Sequence, residues 1–260
     1  MIAPDWQGLR LAALILLLWL LSLAAVLLVG PARLGWPLAL ATVLVRTLLH
    51  TGLFIVAHDA MHGLLVPQRP RWNHRLGAFA LALYAALAYD RCRRNHGLHH
   101  QQTATASDPD FLGDPEAGPL GWYLHFMGGY LNPLQMGLLL GGWGALATGG
   151  AVLMQLPWQQ ALLRVLLGYT LPLLLSSLQL FVVGTYLPHR RSRVRSRDRH
   201  QAASLAWPPA LSLLACFHFG YHWEHHHNPS LPWYRLPDRR RWVTVPDGSG
   251  ASLALGPVRR

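Results

Sequence analysis

FHFGYHWEHHHNP, residues Phe217–Pro229, carries His222, His225 and His226 in an HxxHH pattern. Two other stretches share its form. His58 and His62 make HxxxH in HDAMHG, and His96, His99 and His100 make a second HxxHH in NHGLHH. On a helix, residues three and four apart share a face, so each box aims its imidazoles at one point. Neutral imidazole is the commonest side-chain metal ligand. Eight histidines in three such boxes predict one metal centre assembled from distant parts of the chain. An imidazole-rich site suits Zn, Cu, Fe or Ni. A single zinc takes about four ligands, so two metals account for eight histidines more economically.

Long apolar runs make up much of the rest of the chain. Of 260 residues, 52% are hydrophobic and only 13% charged, the balance of an integral membrane protein. Four spans are predicted, at about 11–29, 38–56, 134–156 and 162–183. The first is long for a signal peptide, and no small-residue cleavage site follows it, so it reads as a retained helix. The apolar pieces 76–89 and 205–217 are too short to cross easily and are expected to lie on, or dip into, the membrane. Glycines in the third and fourth spans are expected to let helices or a ligand approach closely. Residues 1–237 then form one membrane domain, and 238–260 a poorly ordered tail.

Charge orients this arrangement. The net charge is +11, and all 22 basic residues are arginine. Most lie in segments 69–94, 190–199 and 235–241, which the positive-inside rule places in the cytoplasm. Four spans then put both termini and all three boxes on that side. No nucleic-acid-binding fingerprint occurs, and the arginines flank apolar segments, so anionic lipid is the expected partner of the basic face. Cys92 and Cys216 form no CxxC pair and read as free thiols in a reducing compartment.

Single residues add to the boxes. His189 stands where the fourth span meets the cytoplasmic face, immediately before an arginine run, and is a candidate ninth ligand. Asp59, Asp108, Asp110 and Glu224 lie close to boxes in sequence and can accept the second N–H of a ligating histidine. Each can equally be a surface or capping carboxylate. His218, four residues before His222, is a further possible neighbour of the site. Within the second span, Arg46 reads as an interhelical or snorkelling residue, whereas His50 is evenly balanced between structure and function. His74, His125 and His200 read as solvated or structural, and His227 points off the ligand face. A serine hydrolase is disfavoured because GxSxG is absent, and a zinc protease because HExxH is absent.

The order HxxxH, HxxHH, HxxHH on a four-span, all-α membrane protein resembles the membrane fatty acid desaturase and hydroxylase superfamily. Within it, HDAMHG, the DPDF at 108–111, the TYLPHR at 185–190 and the HFGYHWEHH at 218–226 are similar to bacterial β-carotene ketolases. The likeness covers roughly Leu38 to Pro237. It implies a non-haem di-iron oxygenase in the bacterial inner membrane, using O2 and electrons from a ferredoxin or reductase. It implies iron ligation by His58, His62, His96, His99, His100, His222, His225 and His226, with His189 as the family's extra histidine. The implied reaction is oxidation at C4 of a β-ionone ring, twice hydroxylated and then dehydrated to a ketone. β-Carotene would give echinenone and canthaxanthin, and zeaxanthin would give astaxanthin. Trp223 stands where many members have a histidine and is expected to change a pocket wall, not a metal bond.

The nearest rivals are an acyl desaturase or a carotenoid 3-hydroxylase of the same superfamily, distinguished by product. A metal transporter would place its ligands inside the spans, whereas here the boxes gather at one face. A structural membrane protein with incidental histidines is opposed by the spacing of the three boxes.

Overall fold

The computed structural model describes residues 6–30, 35–114, 117–190 and 200–240, and these contain helices but no strand. Glu116, the arginines from Arg191 to Arg199 and residues 241–260 of the expected tail lie outside them. Among the described residues, four helices are long and apolar enough to cross a membrane: α1 (Gln7–Val29), α2 (Gly35–Met61), α6 (Pro133–Met154) and α7 (Trp158–His189). The shortest of them, α6, has 22 residues, a length of about 33 Å at 1.5 Å per residue, enough for a hydrocarbon core. Leu14, Leu17, Leu21 and Leu28 of α1 and Leu134, Leu138, Val152 and Leu153 of α6 are exposed, as a lipid-facing surface requires.

The shorter helices are α3 (Pro70–Ala85), α4 (Tyr89–Gln102), α5 (Pro119–Tyr130), α8 (Pro209–Cys216), α9 (His222–His227) and α10 (Leu236–Arg239). The apolar pattern sets α3 too late: the helix begins at Pro70, six residues before the apolar piece 76–89, because proline is well suited to the first helical position. It packs closely along α2 because Gly77 has no side chain. A Cβ there would come within 2.6 Å of the Ala60 Cβ. Asn73 locks the contact, donating to the Ala60 carbonyl at 2.7 Å and accepting from Leu65 and Val66. The end of α2, with the first histidine box on it, is held in place by this side chain. Helix α5 has no counterpart in the sequence reading. Asn132 and Pro133 divide it from α6, with the Asn132 side chain capping the Gln135 N–H at 3.0 Å.

Helix α7 changes pitch twice, with π-helical turns at Leu166–Thr170 and Phe181–Tyr186. Each turn precedes a proline, Pro172 or Pro188, whose ring crowds the carbonyl four residues earlier and which has no N–H to offer it. In both cases that earlier residue is glycine, Gly168 or Gly184. The carbonyl of Gly168 accepts instead from Arg46 Nε at 2.9 Å. Arg46 also donates to the Trp19 carbonyl at 2.6 Å and to Ser22 Oγ at 2.9 Å, which ties α1, α2 and α7 together deep in the bundle. It is interhelical and fully buried, so it does not snorkel. His50 is structural as well. Trp19 Nε1 donates to its Nδ1 at 3.1 Å, which leaves the proton on Nε2 to bond the Tyr84 carbonyl at 2.7 Å.

The glycines of α6 do not do what the sequence suggests. Around Gly137, Gly141, Gly142, Gly144 and Gly149 there is open space where a side chain would go, so no neighbour uses them to come close. In α7 the expectation holds. A Cβ on Gly168 would meet Val26 at 2.7 Å, and one on Gly184 would meet Phe219 at 2.7 Å.

Candidate metal centre

The two membrane hairpins, α1–α2 and α6–α7, bring the last turns of α2 and α7 to the same end of the bundle. Helix α2 runs on to Met61, with His58 in its final turn and His62 just beyond. Helix α7 runs to His189, six residues past its predicted end. Helices α4 and α9 lie across this end and supply the two HxxHH boxes.

All nine histidines turn Nε2 inward. His58, His62, His96 and His225 form one group and His99, His189, His222 and His226 another, the ligand atoms within each lying within 4.8 Å of one another. His100 Nε2 joins the first, 3.1 Å from His96 Nε2 and 2.9 Å from His225 Nε2. His225 Nε2 is also 3.2 Å from His58 Nε2, and His62 and His96 meet at 2.8 Å. In the second group His222 Nε2 lies 2.8 Å from His189 and 2.9 Å from His226, which is 3.1 Å from His99.

Hydrogen bonds cannot satisfy this arrangement, because each ring nitrogen carries at most one proton. The second nitrogens sharpen the point. His99 Nδ1 faces both oxygens of Asp108, at 3.0 and 3.1 Å, and His189 Nδ1 donates to the Gln201 carbonyl at 2.8 Å. In the neutral rings these bonds put the proton on Nδ1 and leave Nε2 as a bare lone pair. Converging lone pairs with outward N–H partners are the donor set of a bound transition metal.

The charge state agrees. Burial, and then the neighbouring imidazoles, push His96, His222, His225 and His226 well below the ordinary histidine value. Burial also lowers His62 to about 4 and, with the surrounding histidines, His100 to about 2. At His99 burial acts the same way, but the bond to Asp108 and the nearby carboxylate charges outweigh it and hold the ring above its usual value.

Of the carboxylates, Asp108 is the one bonded to a box histidine. It also accepts from the Ala104 and Asp110 N–H groups, both at 2.9 Å, which folds the DPDF segment into a turn. Asp59 stands 3.6 Å from His58 Nδ1 and accepts from the Trp233 N–H at 3.4 Å. Asp110 accepts from the Tyr130 hydroxyl at 2.7 Å, and burial raises its carboxyl above the ordinary value. Glu224 accepts from the Ser204 hydroxyl, and His218 stacks between Tyr221 and Trp233. No hydrogen bond or ring contact between either of these and the nine histidines is seen among the described residues. His227 is exposed, pointing off the centre as the spacing predicts.

Two adjoining pockets lie beside the histidines. The inner one is lined by His58, His96, His99 and His222 with Asp110, Tyr130 and Thr185. The larger, outer one is walled by α3, α5, α6 and α7, with Tyr84, Met136, Leu139 and Leu173 among its residues. Phe54, Phe126, Tyr130 and Leu180 border both. Segment 205–217, expected to lie on or dip into the membrane, lines neither. Tyr130, Phe126 and Thr185 went unnoticed in the sequence. Thr185 alone had a signal there, as the first residue of the TYLPHR segment.

A family model described as fatty acid desaturase matches residues 34–245, which include all three boxes and His189. Curated relatives narrow this. A β-carotene ketolase from Paracoccus sp. is 44% identical over 204 residues, 78% of this chain and 79% of that protein. A second, from another Paracoccus strain, is 42% identical over 235 residues, 90% of this chain and 92% of that protein. This chain belongs to the β-carotene ketolase branch of the fatty acid desaturase family. A zeaxanthin 4-ketolase of Chlamydomonas reinhardtii is also similar, 34% identical over 250 residues, 92% of this chain but 51% of that longer protein.

The departure at Trp223 lies outside the ketolase pocket. Its ring stacks on His227 at 3.9 Å and lines neither cavity, contrary to the expected change of a pocket wall. Trp223→His is therefore expected to keep bound metal and to leave the ratio of products unchanged. Metal analysis and pigment chromatography of the same membranes check both. Loss of metal would mean that the third box is held differently.

Proposed function

We propose that the chain is a carotenoid 4-ketolase with a di-iron centre. The observation that carries this reading is the convergence of nine Nε2 atoms beside two adjoining, largely apolar pockets. His58, His62, His96, His100 and His225 would hold one iron, and His99, His189, His222 and His226 the other. Bound iron with O2 supplies the strong oxidant that an unactivated C–H bond demands.

The protein's part is to admit, orient and enclose. The outer pocket offers a long apolar molecule a route from the bilayer, and Phe54, Phe126 and Leu180 close around one end of it next to the histidines. A β-ionone ring fits that description, with the polyene trailing through the outer pocket. Each hydroxylation at C4 consumes one O2, two electrons and two protons and releases one water. The second gives a geminal diol, which loses water to the ketone. β-Carotene would yield echinenone and canthaxanthin, and zeaxanthin would yield astaxanthin. Asp108 and the Gln201 carbonyl orient His99 and His189 through their outer nitrogens. The centre lies on the cytoplasmic side of a bacterial inner membrane, where the exposed Arg69, Arg71, Arg75, Arg93 and Arg94 suit an acidic ferredoxin or reductase as electron donor.

Expression in a bacterial host that already makes β-carotene, followed by chromatography with mass detection, tests the reading. Echinenone or canthaxanthin is the expected product. Hydroxylated carotenoids without ketones would make the chain a 3-hydroxylase. Unchanged β-carotene beside iron-loaded protein would point to an acyl substrate.

A further inference from the structure

Oxidising one carbon twice poses a problem that a single hydroxylation does not. The first product is an alcohol, and it must stay, turned so that its remaining C–H bond meets the oxidant. The inner pocket contains polar groups placed for this. Apart from histidines, its oxygen-bearing side chains are Asp110, Tyr130 and Thr185, set among Phe54, Met61, Phe126, Leu180 and Phe219. Tyr130 already donates its hydroxyl hydrogen to Asp110 in a 2.7 Å hydrogen bond, so what this pair can still offer a ligand in the pocket is acceptor oxygens. A carboxylate oxygen of Asp110 lies within 4.8 Å of a ring nitrogen of His99. The pair is rigidly placed. Asp110 is fixed by its N–H to Asp108 and by its carbonyl, which accepts from Trp122 Nε1 at 2.7 Å, while the Tyr130 ring packs against Phe126.

We propose that Asp110 and Tyr130 form a seat for the newly installed hydroxyl, accepting its hydrogen bond and presenting the second C–H bond of the same carbon to the metal centre. The inference rests on the ketolase reading and deepens it. A hydrocarbon ring has no O–H for the seat and leaves the Tyr130–Asp110 bond intact. The alcohol does have one, and is retained through the second oxidation, which draws on O2 and the one-electron donor protein as the first does. A site built to bond a substrate hydroxyl discriminates strongly between ligands with and without it.

Tyr130→Phe keeps the ring and removes the acceptor. In β-carotene-producing cells, among the carotenoids consumed, this variant is expected to raise the ratio of 4-hydroxy to 4-keto products by up to about ten-fold, the upper end of the effect of losing one neutral hydrogen bond. With purified protein and an electron donor, KM for added 4-hydroxy-β-carotene is expected to rise more than KM for β-carotene. Asp110→Asn should move the ratio in the same direction with iron retained, and it carries the test if Tyr130→Phe does not accumulate in the membrane. A lower total with an unchanged ratio would mean a structural role and overturn the proposal. So would loss of all oxidation in both iron-loaded variants, or loss of iron from Asp110→Asn, which would make Asp110 a ligand. Absence of ketones from the wild-type chain would instead overturn the ketolase reading itself.

Discussion

Replacing His225 by alanine is expected to abolish ketone formation and to strip iron from the protein. Its Nε2 lies 3.2 Å from that of His58 and 2.9 Å from that of His100, so it joins two helices around the same point. Changing an outer partner of a metal ligand usually costs about 10- to 100-fold in affinity or activity, and loss of the ligand itself should exceed that range. Unfolding is not expected to be the cause. Burial first, and the neighbouring imidazoles second, hold His225 well below the ordinary histidine value, so the ring is neutral and its truncation leaves no unpaired charge. Iron per chain, measured on the detergent-purified variant, should fall well below that of wild type while the yield stays comparable. Wild-type turnover by His225→Ala would end the ligand assignment.

Asp108→Ala is expected to have the second largest effect, by a different route. The carboxylate bonds His99 Nδ1 and two backbone N–H groups, those of Ala104 and Asp110. Burial alone would raise its pKa, but His99 and these N–H groups hold it below the ordinary value. Without it His99 loses the acceptor that orients its Nδ1–H, and the turn carrying Asp110 loses its fastening. Activity should fall by about 10- to 100-fold, and the unsatisfied N–H groups should destabilise the fold by about 1–3 kcal/mol each where they stay dry. Asp108→Asn separates the two effects. It retains an acceptor for the turn but not the charge, so it should recover stability more fully than iron affinity. Equal iron binding by wild type and Asp108→Ala would show that His99 needs no outer partner.

Much of this protein is legible in its sequence because bilayer physics leaves few choices. A run such as Leu11–Val29 has nowhere to go but across a membrane, and no backbone but a helix satisfies its N–H groups there. The histidine spacing then converts directly into helix faces, and the arginine bias agrees with the hairpin count in gathering the boxes at one end. The readings that failed needed partners distant in sequence. Gly137 to Gly149 resemble a packing stripe, yet only neighbouring helices decide whether a glycine is approached, and here none comes near. His50 carried the same local signal as a ligand, but Trp19 and the Tyr84 carbonyl use both of its nitrogens.

By itself, then, the sequence determined the spans, the three boxes, the extra histidine and the face they share, since each depends on local period or on charge beside an apolar run. Only the tertiary structure decided which histidines stand together, that Asp108 and not Glu224 backs one of them, and that Tyr130 meets Asp110 in the inner pocket. Those pairings bring together residues from separate helices, and the identity of a contact is fixed by how helices cross, which no local period encodes.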